Sequence, residues 1–340
     1  MYQINNIHSE FINEFILEVK GLSNVGIRID KFLASELPFS RTLLQKWLSL
    51  GYISVTNNFN HNNIVLSAKY KLKLDDIIVV KAVALPQDLA FIPQNIPLNI
   101  VYEDKYLAII NKPAGLVVHP APANWQDTLL NALLYHYPQT AGLPRAGIVH
   151  RIDKMTSGIM VIAKTLEAQT ALSNAIQQRS IKRQYLAIVH GLPLLKGIVN
   201  APIGRHPTHK TKMAIVEHGK HSITYYTRLA NIPTSANQSH SLLKCDLDTG
   251  RTHQIRVHMA NIGHPLLGDA VYNNKNYHGI FAGSQRQALH AACLSFKCPI
   301  MNNKHMHYVV KPSDELMQNA LSEYQNIMQD DLYNAFSVEN

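Results

Sequence analysis

Hydrophobic positions run unbroken from Ile159 to Ala163, directly after the small-residue group Thr156-Ser157-Gly158, and this predicts a buried strand fed by a turn. A second block, Leu107-Ala108-Ile109-Ile110, follows a turn after Val101-Tyr102-Glu103-Asp104 and predicts another core strand. Tyr52 to Thr56 alternates in the manner of a half-buried strand. Helical spacing occurs in Arg41 to Leu50, where Leu43, Leu44, Trp47 and Leu48 share one face. Ser40 is placed to cap that helix and Gly51 to end it. A short helix is expected around Arg28 to Ala34, longer ones over Leu129 to Tyr137 and Leu166 to Gln178, and one from about Thr252 with Ile255, Met259 and Ile262 inward. Strands and helices mixed in this order predict an α+β protein whose main sheet is mixed and largely antiparallel.

The pattern also divides the chain. Residues 1–25 form an amphipathic lead-in, and 26–83 a small α+β domain. Residues 84–97, with Pro86, Pro93 and Pro97, read as a linker to a large domain over 98–312. A tail over 313–340 carries an expected helix from Glu315 to Met328, docked on the large domain through Leu316, Ala320, Tyr324, Ile327 and Met328.

Charge sharpens this division. Residues 98–312 hold 23 Lys/Arg against nine Asp/Glu, whereas 1–97 hold nine against eight and the tail holds none against six. The basic excess therefore sits on the large domain, where it favours a polyanionic partner bound in a salt-dependent way. No apolar run approaches the length needed to cross a membrane, and the amino terminus lacks a cationic start with an apolar block, so a cytoplasmic protein is expected. Three cysteines, Cys245, Cys293 and Cys298, lack paired spacing and read as reduced thiols.

The candidate chemistry lies at the mouth of the Ile159 strand. Asp153 stands there between Arg151 and Lys154, and a carboxylate in that place can serve as nucleophile or base. Alone, it would more simply be a turn residue bonded to backbone amides. The surrounding motifs change that reading. His150-Arg151-Ile152-Asp153-Lys154-Met155-Thr156-Ser157-Gly158 resembles the His-Arg-Leu-Asp-x-x-Thr-Ser-Gly signature of the RluA/RluD family of pseudouridine synthases. Asn111-Lys112-Pro113-Ala114-Gly115 resembles that family's early Lys-Pro-x-Gly turn, and Arg183-Gln184-Tyr185-Leu186-Ala187 its Lys/Arg-x-Tyr-x-Ala strand. Gly250-Arg251-Thr252-His253-Gln254-Ile255-Arg256-Val257-His258 and Gly263-His264-Pro265-Leu266-Leu267-Gly268-Asp269 follow in the family's order. Arg145-Ala146-Gly147, Arg205-His206-Pro207-Thr208 and Thr211-Lys212-Met213-Ala214 resemble the RluD branch. Ile152 replaces the usual Leu, and the connection after Val271-Tyr272 is short.

The resemblance implies a pseudouridine synthase fold and isomerisation of uridine without a cofactor. It assigns catalysis to Asp153, base stacking and late proton transfer to Tyr185, and the cation that holds the carboxylate to Arg256. Arg151 would insert into the gap left by a flipped uridine or clamp a phosphate, and Arg251 is the better phosphate contact. His150 and Lys112 are further RNA-contact candidates. No Walker loop or dinucleotide glycine fingerprint occurs, and the spacing of His150, His253 and His258 matches no tetrahedral metal set. The amino-terminal segments Arg28-Ile29-Asp30-Lys31-Phe32-Leu33 and Ser40-Arg41 to Gln45 resemble the small RNA-binding domain shared with ribosomal protein S-four, although Asp75 replaces that domain's usual Gly. Arg28, Lys31, Arg41 and Lys46 are its candidate RNA contacts. The implied partner is large-subunit ribosomal RNA, in its helix 69, or a pre-ribosomal particle bound by a monomer. The same isomerisation on another RNA, and a binding-only assembly factor, are the alternatives.

Overall fold

The computed structural model describes residues 11–56, 67–83, 90–121, 124–209, 211–233, 239–273, 286–313, 317–318 and 336. The chain forms two units, Met1–Leu89 and Ala90–Asn340.

In the first unit β1 (Phe11–Glu18), β2 (Ile53–Thr56) and β3 (Ile77–Val83) make an antiparallel sheet in the order β1-β3-β2. Helices α1 (Ile29–Glu36) and α2 (Arg41–Ser49) close its core with Leu33, Leu44, Trp47 and Leu48. Ser40 Oγ accepts from the Leu43 N–H at 3.3 Å and caps α2. The lead-in expectation is corrected here. Phe11–Glu18 is a strand of the small sheet, so that unit starts before residue 26.

The second unit is built on a sheet of nine strands. In chain order these are β4 (Ile100–Glu103), β5 (Leu107–Lys112), β6 (Ser157–Ala163), β7 (Lys182–His190), β8 (Lys196–Asn200), β11 (Ile223–Pro233), β12 (Ser239–Leu247), β13 (Leu289–Cys298) and β14 (Lys304–Val309). A separate hairpin pairs β9 (Ile203–Arg205) with β10 (Met213–Ile215). The main order is β4-β5-β6-β13-β7-β12-β11-β8, with β14 on the far part of β13. Every pairing in this sheet is antiparallel except the short parallel contact of β6 with β13, so the mixed, mostly antiparallel α+β expectation holds.

All seven residues of β6 are buried, and each of its large aliphatic side chains contributes roughly 1.5–3 kcal/mol through burial. Helices α3 (Leu129–His136) and α4 (Leu166–Gln177) start where threonines cap them. Thr128 and Asn131 cap reciprocally at α3, and Thr165 Oγ1 accepts from the Ala168 N–H at 3.2 Å at α4. The fifth helix, α5, covers Gln254–Asn261.

The linker expectation also changes. Ala90 is buried, and Asn131 of α3 donates through Nδ2 to the carbonyls of Ala90 and Ile92 at 3.1 and 2.8 Å, so the segment from residue 90 belongs to the large unit. The expected tail helix lies almost wholly outside the described residues. Met317 and Phe336 are buried with Leu186, Ile188 and Leu242 in a core cluster of the large unit. The three cysteines are free and buried. Among the described residues no helix is long and apolar enough to cross a membrane.

Candidate active site

Two close backbone approaches build the turn that carries Asp153. Gly147 adopts φ +80°, and a Cβ there would lie 1.9 Å from the Ala163 carbonyl oxygen. Gly158 adopts φ +120°, and its Cβ would lie 2.2 Å from the Ala291 carbonyl oxygen, so only glycine lets β13 come alongside the start of β6. Between them the chain turns at Asp153, where the Thr156 N–H donates to the Asp153 carbonyl at 3.1 Å.

Buried donors hold two carbonyls and one hydroxyl of this turn. Lys112 Nζ donates to Lys154 O at 3.2 Å, and also to Pro113 O at 2.7 Å and Leu116 O at 2.9 Å. Arg286 Nη1 donates to the Met155 carbonyl, and Gln287 Nε2 to Thr156 Oγ1 at 3.2 Å. The Lys112 result corrects its expected role. Its side chain is 1% exposed and spends its donors on the protein's own carbonyls, so it braces the turn that carries Asp153 instead of meeting RNA phosphate. Burial, helped by the Arg286 charge and opposed by Asp153, lowers its pKa to about 7.

His150 is corrected in the same way. Its Nε2 accepts from the Val161 N–H at 3.1 Å, tying the segment before Asp153 to β6. Burial and the Arg183 charge lower its pKa to about 3, so at neutral pH it carries no charge to offer a phosphate.

The opposite wall is the start of α5. Gln254 pins it: Oε1 accepts from Arg251 N at 3.0 Å and Thr249 Oγ1 at 2.8 Å, and Nε2 donates to Ile223 O at 2.8 Å. The helix begins at Gln254 and not near Thr252 because His253 sits in the left-handed region at φ +58°. From the first turn Arg256 reaches inward. Its Nη1 donates to Asp153 Oδ2 at 3.1 Å. Its other two nitrogens make a bidentate pair with Asp269, Nε to Oδ2 at 2.8 Å and Nη2 to Oδ1 at 3.0 Å. Asp269 also accepts from the N–H groups of Val271 and Tyr272 at 2.8 and 3.1 Å. Burial works against both charges, yet the pairing outweighs it: the Arg256 pKa is raised and that of Asp269 lowered.

Tyr185 forms the floor. It lies on central strand β7, paired with Cys245 on one side and Ala291 on the other. Burial raises its pKa, so at neutral pH it is a phenol presenting a ring and a hydroxyl.

Arg151, Asp153, Tyr185, Arg251 and Arg256 thus line one open cleft of about 550 Å³, counting space open to solvent. A carboxylate with one oxygen held by a guanidinium, above an aromatic floor, can attack an electrophilic carbon or take a proton. Among the described residues no group of three metal-ligating side chains is placed to bind an ion.

The amino-terminal candidates lie in the other unit. Arg28 donates through Nε and Nη2 to Asp30 at 3.0 and 2.9 Å, and Arg41 Nε to the same carboxylate at 2.9 Å. Gln45 completes the set at 2.6 Å. Burial opposes ionisation of Asp30, but Gln45 and the two arginines lower its pKa to about 2. Both arginines remain part-exposed, and Lys31 and Lys46 are exposed.

Sequence reasoning missed Asp269, His253, Tyr272 and Arg286. Asp269 carried a signal as the single carboxylate of the Gly-His-Pro-Leu-Leu-Gly-Asp motif, and His253 carried one as part of the motif from Gly250 to His258.

Comparison with known proteins agrees with this geometry. Residues 106–261 match the family described as RNA pseudouridylate synthase. The chain is 46% identical over 293 residues to "Ribosomal large subunit pseudouridine synthase D" of Nitrosomonas europaea, covering 84% of this chain and 82% of that one. It is 42% identical over 323 residues to the protein of the same name from Pasteurella multocida, covering 92% and 96%. The solved structure of Human RNA Pseudouridylate Synthase Domain Containing 1 shares the fold, with a TM-score of 0.56 at 24% identity over 72% of this chain and 96% of that one. The chain belongs to the RNA pseudouridylate synthase family, on the branch of its relatives named ribosomal large subunit pseudouridine synthase D.

Proposed function

We propose that this enzyme converts specific uridines of large-subunit ribosomal RNA, in helix 69, to pseudouridine, with Asp153 acting on the ribose. The observation that carries this reading is the Arg256 bond to Asp153 at 3.1 Å within a cleft floored by Tyr185. Isomerisation breaks the bond between N1 and the ribose C1′, turns the uracil, and forms a bond from C5 to C1′. A proton leaves C5 and one is taken up at N1, and no electrons are gained or lost, so the reaction needs no redox cofactor. Asp153 has three routes: attack at C1′, removal of the C2′ proton to give a glycal, or addition to the base.

A uridine in a stem-loop must swing out of its stack to reach such a cleft. Arg151, exposed beside Asp153, is suited to the space the base leaves, and Arg251 to a flanking phosphate. Arg28, Lys31, Arg41 and Lys46 of the small unit are proposed to hold RNA away from the target. The names of the relatives support the ribosomal substrate. The basic excess over 98–312 supports a polyanion of any kind. We place the enzyme in the cytoplasm, working as a monomer on free RNA or a pre-ribosomal particle.

The test is incubation with unmodified large-subunit ribosomal RNA, with carbodiimide adducts mapped as stops in primer extension. New stops in helix 69 bear the proposal out. Stops elsewhere keep the reaction and overturn the site, and no stops overturn the substrate.

A further inference from the structure

His253 lies beside the Asp153 carboxylate, and one of its two tautomers makes it a second donor to that group. Tyr272 Oη accepts from the Met213 backbone N–H at 2.8 Å and lies 2.7 Å from His253 Nδ1. A phenol has one proton to give, and among the described residues its remaining partner is that nitrogen. With Tyr272 donating to Nδ1, the proton of the imidazole sits on Nε2, the tautomer that turns a donor toward Asp153. Burial lowers the pKa of His253, and Arg256 and Arg151 add to this against the opposing Asp153 and Asp269, so the ring is neutral with one proton to place. Nε2 lies 3.9 Å from Asp153 Oδ2. The reverse tautomer would set a nitrogen lone pair against the carboxylate.

Oδ2 is also the atom that Arg256 bonds, while Oδ1 has no hydrogen-bond partner among the described residues. Tyr272 touches both donors: the Arg256 guanidinium lies 5.0 Å above its ring, and the His253 ring meets it edge-on at 5.6 Å. We propose that His253 is a positioning residue, locked by Tyr272 in its Nε2–H form, that closes on Asp153 Oδ2 when uridine fills the cleft. Both donors then hold one oxygen, and Oδ1 is the atom left to act on the RNA. At 3.9 Å the bond is not yet made. Contacts of this kind shorten when substrate binds. The proposal rests on the reading of this cleft as the site of uridine isomerisation.

The backbone supplies a discriminating test. At φ +58°, and with no side-chain capping bond at this helix start, residue 253 would suit asparagine on local grounds. His253→Asn fits the backbone but is too short to bring a donor to the Nε2 position. His253→Gln fits the backbone less well and brings an amide N–H there. Single-turnover rates of the full-length enzyme on unmodified large-subunit ribosomal RNA should fall ~10-fold or more in Asn, the worth of one charge-assisted hydrogen bond, with half-saturation unchanged. Gln should retain most of the rate, and Tyr272→Phe should resemble Asn. Asn equal to or better than Gln would overturn the proposal, because a purely structural role predicts that order. Nitrogen-15 spectra of histidine-labelled enzyme without RNA test the tautomer separately. Nε2–H in the wild type and a mixture in Tyr272→Phe are expected. An Nδ1–H signal in the wild type overturns the proposal whatever the substrate proves to be.

Discussion

Asp269 grips Arg256 through two parallel hydrogen bonds of 2.8 and 3.0 Å, and both side chains are almost wholly out of solvent. The guanidinium that meets Asp153 is thus aimed by a second carboxylate 13 positions along the chain. Removing that carboxylate leaves a buried cation with one acceptor. Asp269→Ala should cost about 3–5 kcal/mol of stability in urea unfolding, the usual penalty for halving a buried pair. Turnover should drop further than folding explains when rates are compared at temperatures where the variant is fully folded. A loss below about 1 kcal/mol would mean that water or another group replaces Asp269.

Lys112 makes a contrasting prediction. Its three carbonyl acceptors lie on the turns flanking Asp153, so Lys112→Met leaves them without their donor. We expect a stability loss of about 1–3 kcal/mol and slower turnover, with RNA affinity and its salt dependence unchanged. A flatter salt dependence in the variant would restore Lys112 to the RNA surface.

The strands and helices above were legible where local signals agreed. β6 announces itself by an unbroken apolar run, and α2 by the Ser40 cap before a shared apolar face. β1 was not legible, because Phe11–Glu18 does not alternate strictly and its partner β3 begins at Ile77. In the site, Asp153, Tyr185 and Arg256 stood out through their motifs. The inward turn of Lys112 did not, since lysine is almost never fully buried and a glycine-flanked turn suggests exposure. The Arg256–Asp269 pair and the left-handed backbone at His253 are tertiary facts with no local signature.

His150 predicts a pH dependence of stability. Its folded pKa of about 3 lies below the ordinary histidine value of 6.5, so as pH falls below 6.5 the unfolded chain takes a proton that the folded state refuses. Stability is therefore lost across the window from about 6.5 down to about 3. Between pH 7 and 5 this residue should account for about 1–2 kcal/mol. His150→Gln, which keeps an acceptor for the Val161 N–H, should remove that part of the slope in urea titrations. An unchanged slope would place the proton elsewhere.

Tyr185 separates stacking from proton transfer. Tyr185→Phe keeps the ring on β7 and loses only the hydroxyl. RNA affinity should hold while turnover falls by roughly 10²-fold, the usual worth of a positioned acid or base. Full activity in the phenylalanine variant would reduce Tyr185 to a stacking wall.

The most direct test of the account is Asp153→Asn, assayed side by side for RNA binding and for pseudouridine formed on unmodified large-subunit ribosomal RNA. Asn keeps the shape and an acceptor for Arg256, but cannot attack or take the proton. The account predicts wild-type affinity with no pseudouridine. Product formed by the variant at a rate near wild type would contradict it.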